Sequence, residues 1–193
     1  MPRSIHRSLQ IAIAAGLLSA TAIPLGTHQV FAQEKTVTVG GAPMYPSKNI
    51  VQNAVNSKDH TTLVAAVKAA GLVDTLSGPG PFTVFAPTNE AFNKLPPGTV
   101  DSLVKPENKA TLTKILTYHV VPGKMSAADL SAKIKQGGGK AKLKTVEGEE
   151  LTAEMAGGKL ILVDAKGGKS TVTIADVNQS NGVIHVVDTV LMP

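Results

Sequence analysis

The segment that decides the fold is Phe82-Thr83-Val84-Phe85-Ala86-Pro87-Thr88-Asn89-Glu90-Ala91-Phe92, a short apolar strand followed by the start of a helix. Apolar side chains fall on both faces of the strand, which is typical of a central strand covered on both sides. Pro87 cannot extend the ladder of backbone hydrogen bonds, and the Thr88 hydroxyl can accept from the first free amides of the next turn. The segment therefore predicts a buried strand that passes directly into a helix.

The elements on either side of this segment predict one domain of the α+β class. Before residue 137, apolar residues recur at helical spacing, as in the run from His60 to Ala70 that stops at Gly71. After three consecutive glycines, apolar stretches separated by glycine turns predict strands over residues 140–146, 150–155, 159–164, 171–177 and 182–191. Helices followed by a meander of strands are the α+β order, and 193 residues suffice for a single ordinary domain.

The N-terminus has the layout of a secretory signal peptide. A basic start with Arg3 and Arg7 precedes an apolar run from Leu9 to Leu25, and the segment closes on Val30-Phe31-Ala32. We expect cleavage after Ala32, an uncleaved membrane anchor being the alternative. The predicted organisation is a signal peptide over residues 1–32, an N-terminal tail over residues 33–46 and the folded domain over residues 47–193.

The composition of the exported part excludes several classes of function. Removal of residues 1–32 leaves 161 of 193 residues, and their 17 lysines and 14 acidic residues give a net charge of +3 without any arginine or cysteine. Bidentate recognition of guanine or phosphate normally uses arginine, so nucleic-acid binding is not expected. The absence of cysteine excludes disulfides, thiolate nucleophiles and cysteine-based metal sites. No later apolar stretch is long enough for a membrane span.

Two histidines in apolar surroundings, His119 and His185, leave two interpretations open. They can form a metal or general-base pair, or they can be core residues hydrogen-bonded to backbone or hydroxyl groups. A metal site needs three or four converging ligands, and the only further candidate is Asp188, which we expect to accept from a backbone amide instead. The chain also lacks a Gly-x-Ser-x-Gly elbow and a His-Glu-x-x-His pair, so enzymatic activity is not expected.

One stretch of the chain is distinctly basic. Five lysines occur in it without an intervening acidic residue: Lys133, Lys135, Lys140, Lys142 and Lys144. On a strand, the last three share one face, while the two apolar residues between them point inward. This face can bind an acidic polysaccharide or another anionic surface, or its lysines can protect an edge strand from aggregation.

Three segments together resemble the signature of fasciclin (FAS1) domains. Residues 82–92 resemble the first signature box of that family, and Asn181-Gly182-Val183-Ile184-His185-Val186-Val187-Asp188 resembles the second. Tyr118-His119-Val120-Val121-Pro122-Gly123 is similar to the Tyr-His segment that lies between the boxes. The order and spacing agree, and the resemblance extends from about residue 49 to residue 193. The chain looks most like the bacterial secreted single-domain type, which includes mycobacterial antigens and proteins linked to rhizobial symbiosis.

The resemblance implies a wedge of two β-sheets with a layer of short helices, without a cofactor and with both histidine positions in the core. It also implies a secreted or periplasmic protein that mediates adhesion or interaction at a cell surface or matrix. The expected partner is a surface or matrix protein or an acidic polysaccharide. A carrier of a small apolar ligand, held between the helical layer and the sheet, is the alternative. The residues that we expect at the binding surface are Tyr118, His119, Lys140, Lys142 and Lys144.

Overall fold

A seven-stranded sheet extends through the fold, and a two-stranded hairpin precedes it. In the computed structural model, which describes residues 35–193, the sheet has the strand order β4-β3-β9-β8-β7-β6-β5. The strands are β1 (Val37–Val39), β2 (Ala42–Met44), β3 (Phe82–Pro87), β4 (Val120–Pro122), β5 (Lys140–Lys144), β6 (Glu150–Ala156), β7 (Lys159–Val163), β8 (Lys169–Gln179) and β9 (Gly182–Val187). The expected signal peptide lies outside the described residues.

Strand β8 joins two halves of the large sheet. Its first part pairs with β7 and its second part with β9, and the register shifts between Val172 and Val177. Asp176 lies within this irregularity with a φ of 58°, in the left-handed region. Such bulges bend a strand and increase its twist. The bend lets β8 pair with β7 in one half of the sheet and with β9 in the other. The expected wedge of two sheets is thus one sheet divided at β8, and the predicted α+β class is confirmed.

The described residues contain seven short α-helices and two 3₁₀ helices, Lys58–His60 and Pro106–Asn108. The α-helices are α1 (Ile50–Ala54), α2 (Thr61–Ala70), α3 (Val73–Ser77), α4 (Asn89–Asn93), α5 (Thr99–Leu103), α6 (Lys109–Tyr118) and α7 (Ala127–Gln136). Helices α1–α6 pack against one core of the domain, and α7 packs against strands β5 and β6. The Thr88 hydroxyl accepts from the Ala91 amide at 3.3 Å, as the sequence predicts for the start of α4. Ser126 and Asp129 form a capping box at the start of α7, and Gly71 ends α2 with a φ of 74°.

The apolar residues form two cores, one on each side of β3 and β9. The helix-side core lies beneath α1–α4 and α6 and includes Val84 and Ala86 of β3. The strand-side core lies between the two halves of the sheet and includes Phe85 of β3, together with leucines of β5, β6 and β7. All six residues of β9 are buried. The prediction that β3 is a central strand with two buried faces is therefore confirmed.

The hairpin of β1 and β2 differs from the expected N-terminal tail. Residues 33–46 were expected to be a tail because they are rich in small residues and have no clear apolar period. Gly40 and Gly41 instead form a turn with φ values of 58° and 73°, and the side chains of Val39 and Met44 are buried in the helix-side core. The strands are only three residues long, which is too short for alternation to be visible in the sequence.

Candidate functional site

Tyr118, expected at the binding surface, is fully buried at the end of α6. Its hydroxyl donates to the Glu150 carbonyl at 3.0 Å and accepts from the Ala165 amide at 3.1 Å. The ring thereby connects α6 with β6 and with the turn between β7 and β8. Burial raises the pKa of Tyr118. The structure places this side chain inside the strand-side core, where no partner can contact it, because both hydrogen-bonding functions of its hydroxyl are used within the fold.

His119 is also buried, with 2% of its surface exposed. Its Nδ1 lies 2.8 Å from the Ile115 carbonyl, which can only accept, so Nδ1 carries the proton. Its Nε2 then accepts from the Leu191 amide at 3.0 Å. Burial lowers the pKa of His119 to about 4, so the ring is neutral at pH 7. The ring links the last turn of α6 to the C-terminal segment and is not at the surface where we expected it.

His185 is held in the opposite tautomer. Its Nε2 donates to the Met125 carbonyl at 2.9 Å, and its Nδ1 accepts from the Asp176 amide at 3.3 Å. The ring stacks on Phe85 with a centroid distance of 5.7 Å, and burial lowers its pKa. Both histidines therefore have backbone partners on both nitrogens, as the interpretation of core residues predicts.

Asp188 accepts from a backbone amide, as expected. The Thr171 amide donates to its Oδ1 at 2.8 Å, and the Thr189 hydroxyl donates to the same oxygen at 3.0 Å. Within residues 35–193, no three histidine, aspartate or glutamate side chains are grouped so that they could hold a metal ion. Of the helices in the same range, none has the length and apolar character needed to cross a bilayer.

The three lysines of β5 lie where the sequence predicts, on the exposed face of an edge strand. Ala141 and Leu143 between them are buried in the strand-side core. Strand β5 is last in the order of the sheet, so no strand of residues 35–193 pairs along one of its two edges. We call the exposed side of β5–β8 the lysine face; its charged residues are Lys140, Lys142, Lys144, Glu150, Glu154, Lys159 and Lys169.

The glutamates of β6 neutralise part of the lysine face. Lys142 pairs with Glu150 at 2.8 Å, which raises the pKa of Lys142. Glu154 lies 3.0 Å from Lys169 and 3.7 Å from Lys140, and these contacts lower its pKa. Lys144 has no carboxylate partner among the described residues. The sequence does not predict these pairs or the two lysines that β7 and β8 add to the face, because the register of neighbouring strands brings them together.

The chain matches known proteins in both sequence and fold. The family model of the fasciclin domain matches residues 58–193 of the chain. The chain belongs to the fasciclin domain family. A solved structure of a FAS1 domain pair from the insect cell adhesion molecule Fasciclin I has the same fold, with a TM-score of 0.68 at 22% identity. That match covers 77% of this chain and 52% of the other, so the chain spans about half the length of the pair.

Bacterial and animal proteins are similar to the chain in sequence. Protein sll1483 of Synechocystis is 52% identical over 83% of this chain and 82% of its own length. The immunogenic protein MPB70 of Mycobacterium bovis is 39% identical over 72% of this chain and 66% of its own. The transforming growth factor-beta-induced protein ig-h3 of Sus scrofa is 38% identical over 68% of this chain and 17% of its own.

Proposed function

We propose that this fasciclin-domain protein is exported and acts as an interaction module at the cell surface or in the surrounding matrix, without a cofactor and without catalysis. Its relatives include an immunogenic protein and the cell surface glycolipoprotein MPB83 of Mycobacterium bovis, which is 35% identical over 91% of this chain and 74% of its own length. The structural neighbour is a cell adhesion molecule. The N-terminal layout of a signal peptide supports export.

The observation that carries this proposal is the internal pairing of the polar groups in the signature segments. Tyr118, His119 and His185 each use both hydrogen-bonding functions on backbone groups, and each makes at least one of these bonds to another element. A group with its donors and acceptors already paired in a buried place stabilises the fold and is not free to bind or to transfer a proton. Recognition of a partner is therefore assigned to the outer surface.

The lysine face is the part of that surface with the clearest chemical preference. It has five lysines and two glutamates, a net charge of +3, which equals the net charge of the whole exported part. An excess of positive charge on one face of a sheet attracts polyanions at low ionic strength. We assign to it an acidic polysaccharide or an acidic protein of the cell surface. The competing interpretation is that the lysines only keep the edge of β5 from pairing with other chains.

Charge reversal on the lysine face tests the proposal. The triple variant Lys140→Glu, Lys142→Glu and Lys144→Glu is compared with the parent protein on a column of immobilised acidic polysaccharide at low and moderate salt. We expect retention of the variant to be lost and retention of the parent to fall as salt rises.

A control variant separates the effect of the lysine face on retention from the effect of the total charge of the protein. Lys58→Glu, Lys105→Glu and Lys109→Glu reverse three exposed lysines on the helical side, with the same change in total charge. The control is expected to keep most of the retention. Equal loss in both triple variants, or unchanged retention in the first, would exclude the lysine face as the binding surface.

A further inference from the structure

A cavity of about 50 Å³ lies within the helix-side core, beneath the first helices of the domain. Its walls are almost entirely apolar. The side chains that form it come from α1, α2 and the sheet and include Ile50, Leu63, Val67, Val84 and Ile184. Lining residues that keep some exposure belong to α1, α2 and α3, as do Val51, Val64 and Val73, so the cavity opens between these helices.

His60 supplies the polar atom of this cavity that lacks a partner. The residue is 3% exposed and lines the cavity at the start of α2. Its Nδ1 lies 2.8 Å from the Ser57 hydroxyl. Among the described residues, His60 Nε2 is the buried side-chain nitrogen or oxygen that makes no hydrogen bond. The Ala86 carbonyl lies near the ring without the geometry of a hydrogen bond, and burial lowers the pKa of His60, so the ring is neutral at pH 7.

The Ser57 hydroxyl favours one tautomer of the neutral His60 ring. His60 Nδ1 is the hydrogen-bond partner that the structure gives to this buried hydroxyl, and a hydroxyl that donates to Nδ1 requires the unprotonated form of that nitrogen. In this tautomer the proton of the ring is on Nε2. A residue that lines the cavity then carries a buried N–H donor without an acceptor, and such a donor lowers stability unless something accepts from it.

A water molecule is a poor occupant of this space. The volume suffices for water, but an ordered buried water needs two to four polar partners. Apart from His60 Nε2, the polar side chains of the lining are paired or exposed. Both ring nitrogens of His119 are bonded to backbone groups, and the Ser57 hydroxyl is bonded to His60 Nδ1. Lys68 is exposed. An occupant that accepts one hydrogen bond and otherwise offers apolar surface fits better.

We propose that this cavity is a binding site for a small neutral molecule with an apolar body and one accepting oxygen, such as a ketone or an ether, at its end. A cavity of about 150 Å³ holds benzene, so about 50 Å³ takes only the oxygen-bearing end, and the apolar remainder lies in the opening between α1, α2 and α3. A carboxylate does not fit beside His60, because the apolar walls there cannot solvate its charge and the one charged lining residue, Lys68, is exposed. The proposal specifies the kind of ligand for the alternative function, a carrier of a small apolar molecule. It does not depend on the lysine face.

Two probes of equal shape test the role of the oxygen. In 2-hexanone a carbonyl oxygen occupies the place of the terminal methylene group of 2-methyl-1-hexene. With the full protein labelled with ¹⁵N at histidine, we expect 2-hexanone to shift the Nε2–H signal of His60 in a saturable way. The alkene should perturb the methyl signals of the lining valines but not that nitrogen. His185, which is paired on both nitrogens and does not line the cavity, is the internal reference in the same spectrum.

The variant His60→Leu measures the contribution of the proposed hydrogen bond from His60 Nε2 to the ligand oxygen. The ratio of the affinity for 2-hexanone to that for 2-methyl-1-hexene should fall about five- to tenfold in the variant, because one net hydrogen bond is lost. The triple lysine variant should bind 2-hexanone like the parent protein, so failure of the surface proposal and failure of this one are distinguishable. The proposal is overturned if neither probe shifts the signals of the lining valines, or if His60→Leu leaves the ratio unchanged.

Discussion

Two regions of the molecule, the signature segments and the start of α2, pair their buried histidines differently. In the signature segments, Tyr118, His119 and His185 are each bonded to two backbone groups, and each makes at least one of these bonds to a residue far away in the chain. At the start of α2, His60 lines an apolar cavity, its Nδ1 is paired with the Ser57 hydroxyl, and its Nε2 makes no hydrogen bond. A buried polar group with all its partners helps to specify one arrangement of the backbone, whereas a buried group without a partner is destabilising until something binds to it. The signature segments therefore maintain the fold, and the start of α2 is the region that we propose as a ligand site.

Replacement of His119 by leucine should have the largest effect on stability. The apolar side chain keeps most of the volume but leaves the Leu191 amide and the Ile115 carbonyl unpaired in a buried place. Each such group costs about 1–3 kcal/mol, so the free energy of unfolding should fall by about 3 kcal/mol. Urea denaturation followed by circular dichroism measures it. A loss below about 1 kcal/mol would show that the fully paired His119 stabilises the fold no more than the half-paired His60 does.

Acidification should have the next largest effect. It should lower the free energy of unfolding, because buried histidines with a lowered pKa resist protonation in the folded state. Because burial lowers the pKa of His119 from 6.5 to about 4, the unfolded state binds more protons than the folded state between these values. The stability from this group is complete above pH 6.5 and is lost as the pH falls toward 4, by about 3 kcal/mol in total. His60 and His185 shift in the same direction.

The measurement that checks this prediction is the free energy of unfolding at several pH values between 7 and 4.5. Carboxylates with lowered pKa, such as Asp188, contribute their own dependence mainly below this range. The variant His119→Leu should have a shallower slope than the parent protein. Identical slopes in the two proteins would mean that His119 titrates normally in the folded state.

Replacement of His60 by leucine should have the smallest effect of the three. Only the Ser57 hydroxyl loses its partner, and the cavity loses an unpaired N–H donor, so the two contributions oppose each other. We expect the free energy of unfolding to change by no more than about 1 kcal/mol in either direction. The same urea titration as for His119→Leu gives a direct comparison. A loss as large as that of His119→Leu would show that His60 is as fully integrated as the other two histidines.

Features decided by neighbouring residues were predictable from the sequence. The Thr88 cap, the capping box of Ser126 and Asp129, and the stop at Gly71 each depend on a few consecutive residues, and the structure has all three. The alternation of Lys140 to Lys144 likewise predicted which side chains of β5 are exposed. The hairpin of β1 and β2 was missed because three residues per strand are too few to show a period.

The candidate sites were less predictable, because they depend on contacts between distant residues. The pairing of Lys142 with Glu150 and of Lys169 with Glu154 depends on strand register. The burial of Tyr118 and His119 removed two expected surface residues, although the segment that contains them was recognised from its sequence. The sequence marks His60 only as the start of a helix, since its unpaired nitrogen becomes apparent only when α2 is packed over the sheet.

The sequence by itself determined the class of the fold, the family and the local caps and exposed faces, because period, turn residues and signature segments act over a few neighbouring positions. Only the tertiary structure decided which polar groups are paired, which charges are neutralised across strands and where a cavity remains. Those properties depend on distances of a few ångströms between residues that are tens of positions apart in the chain, and no local pattern encodes them.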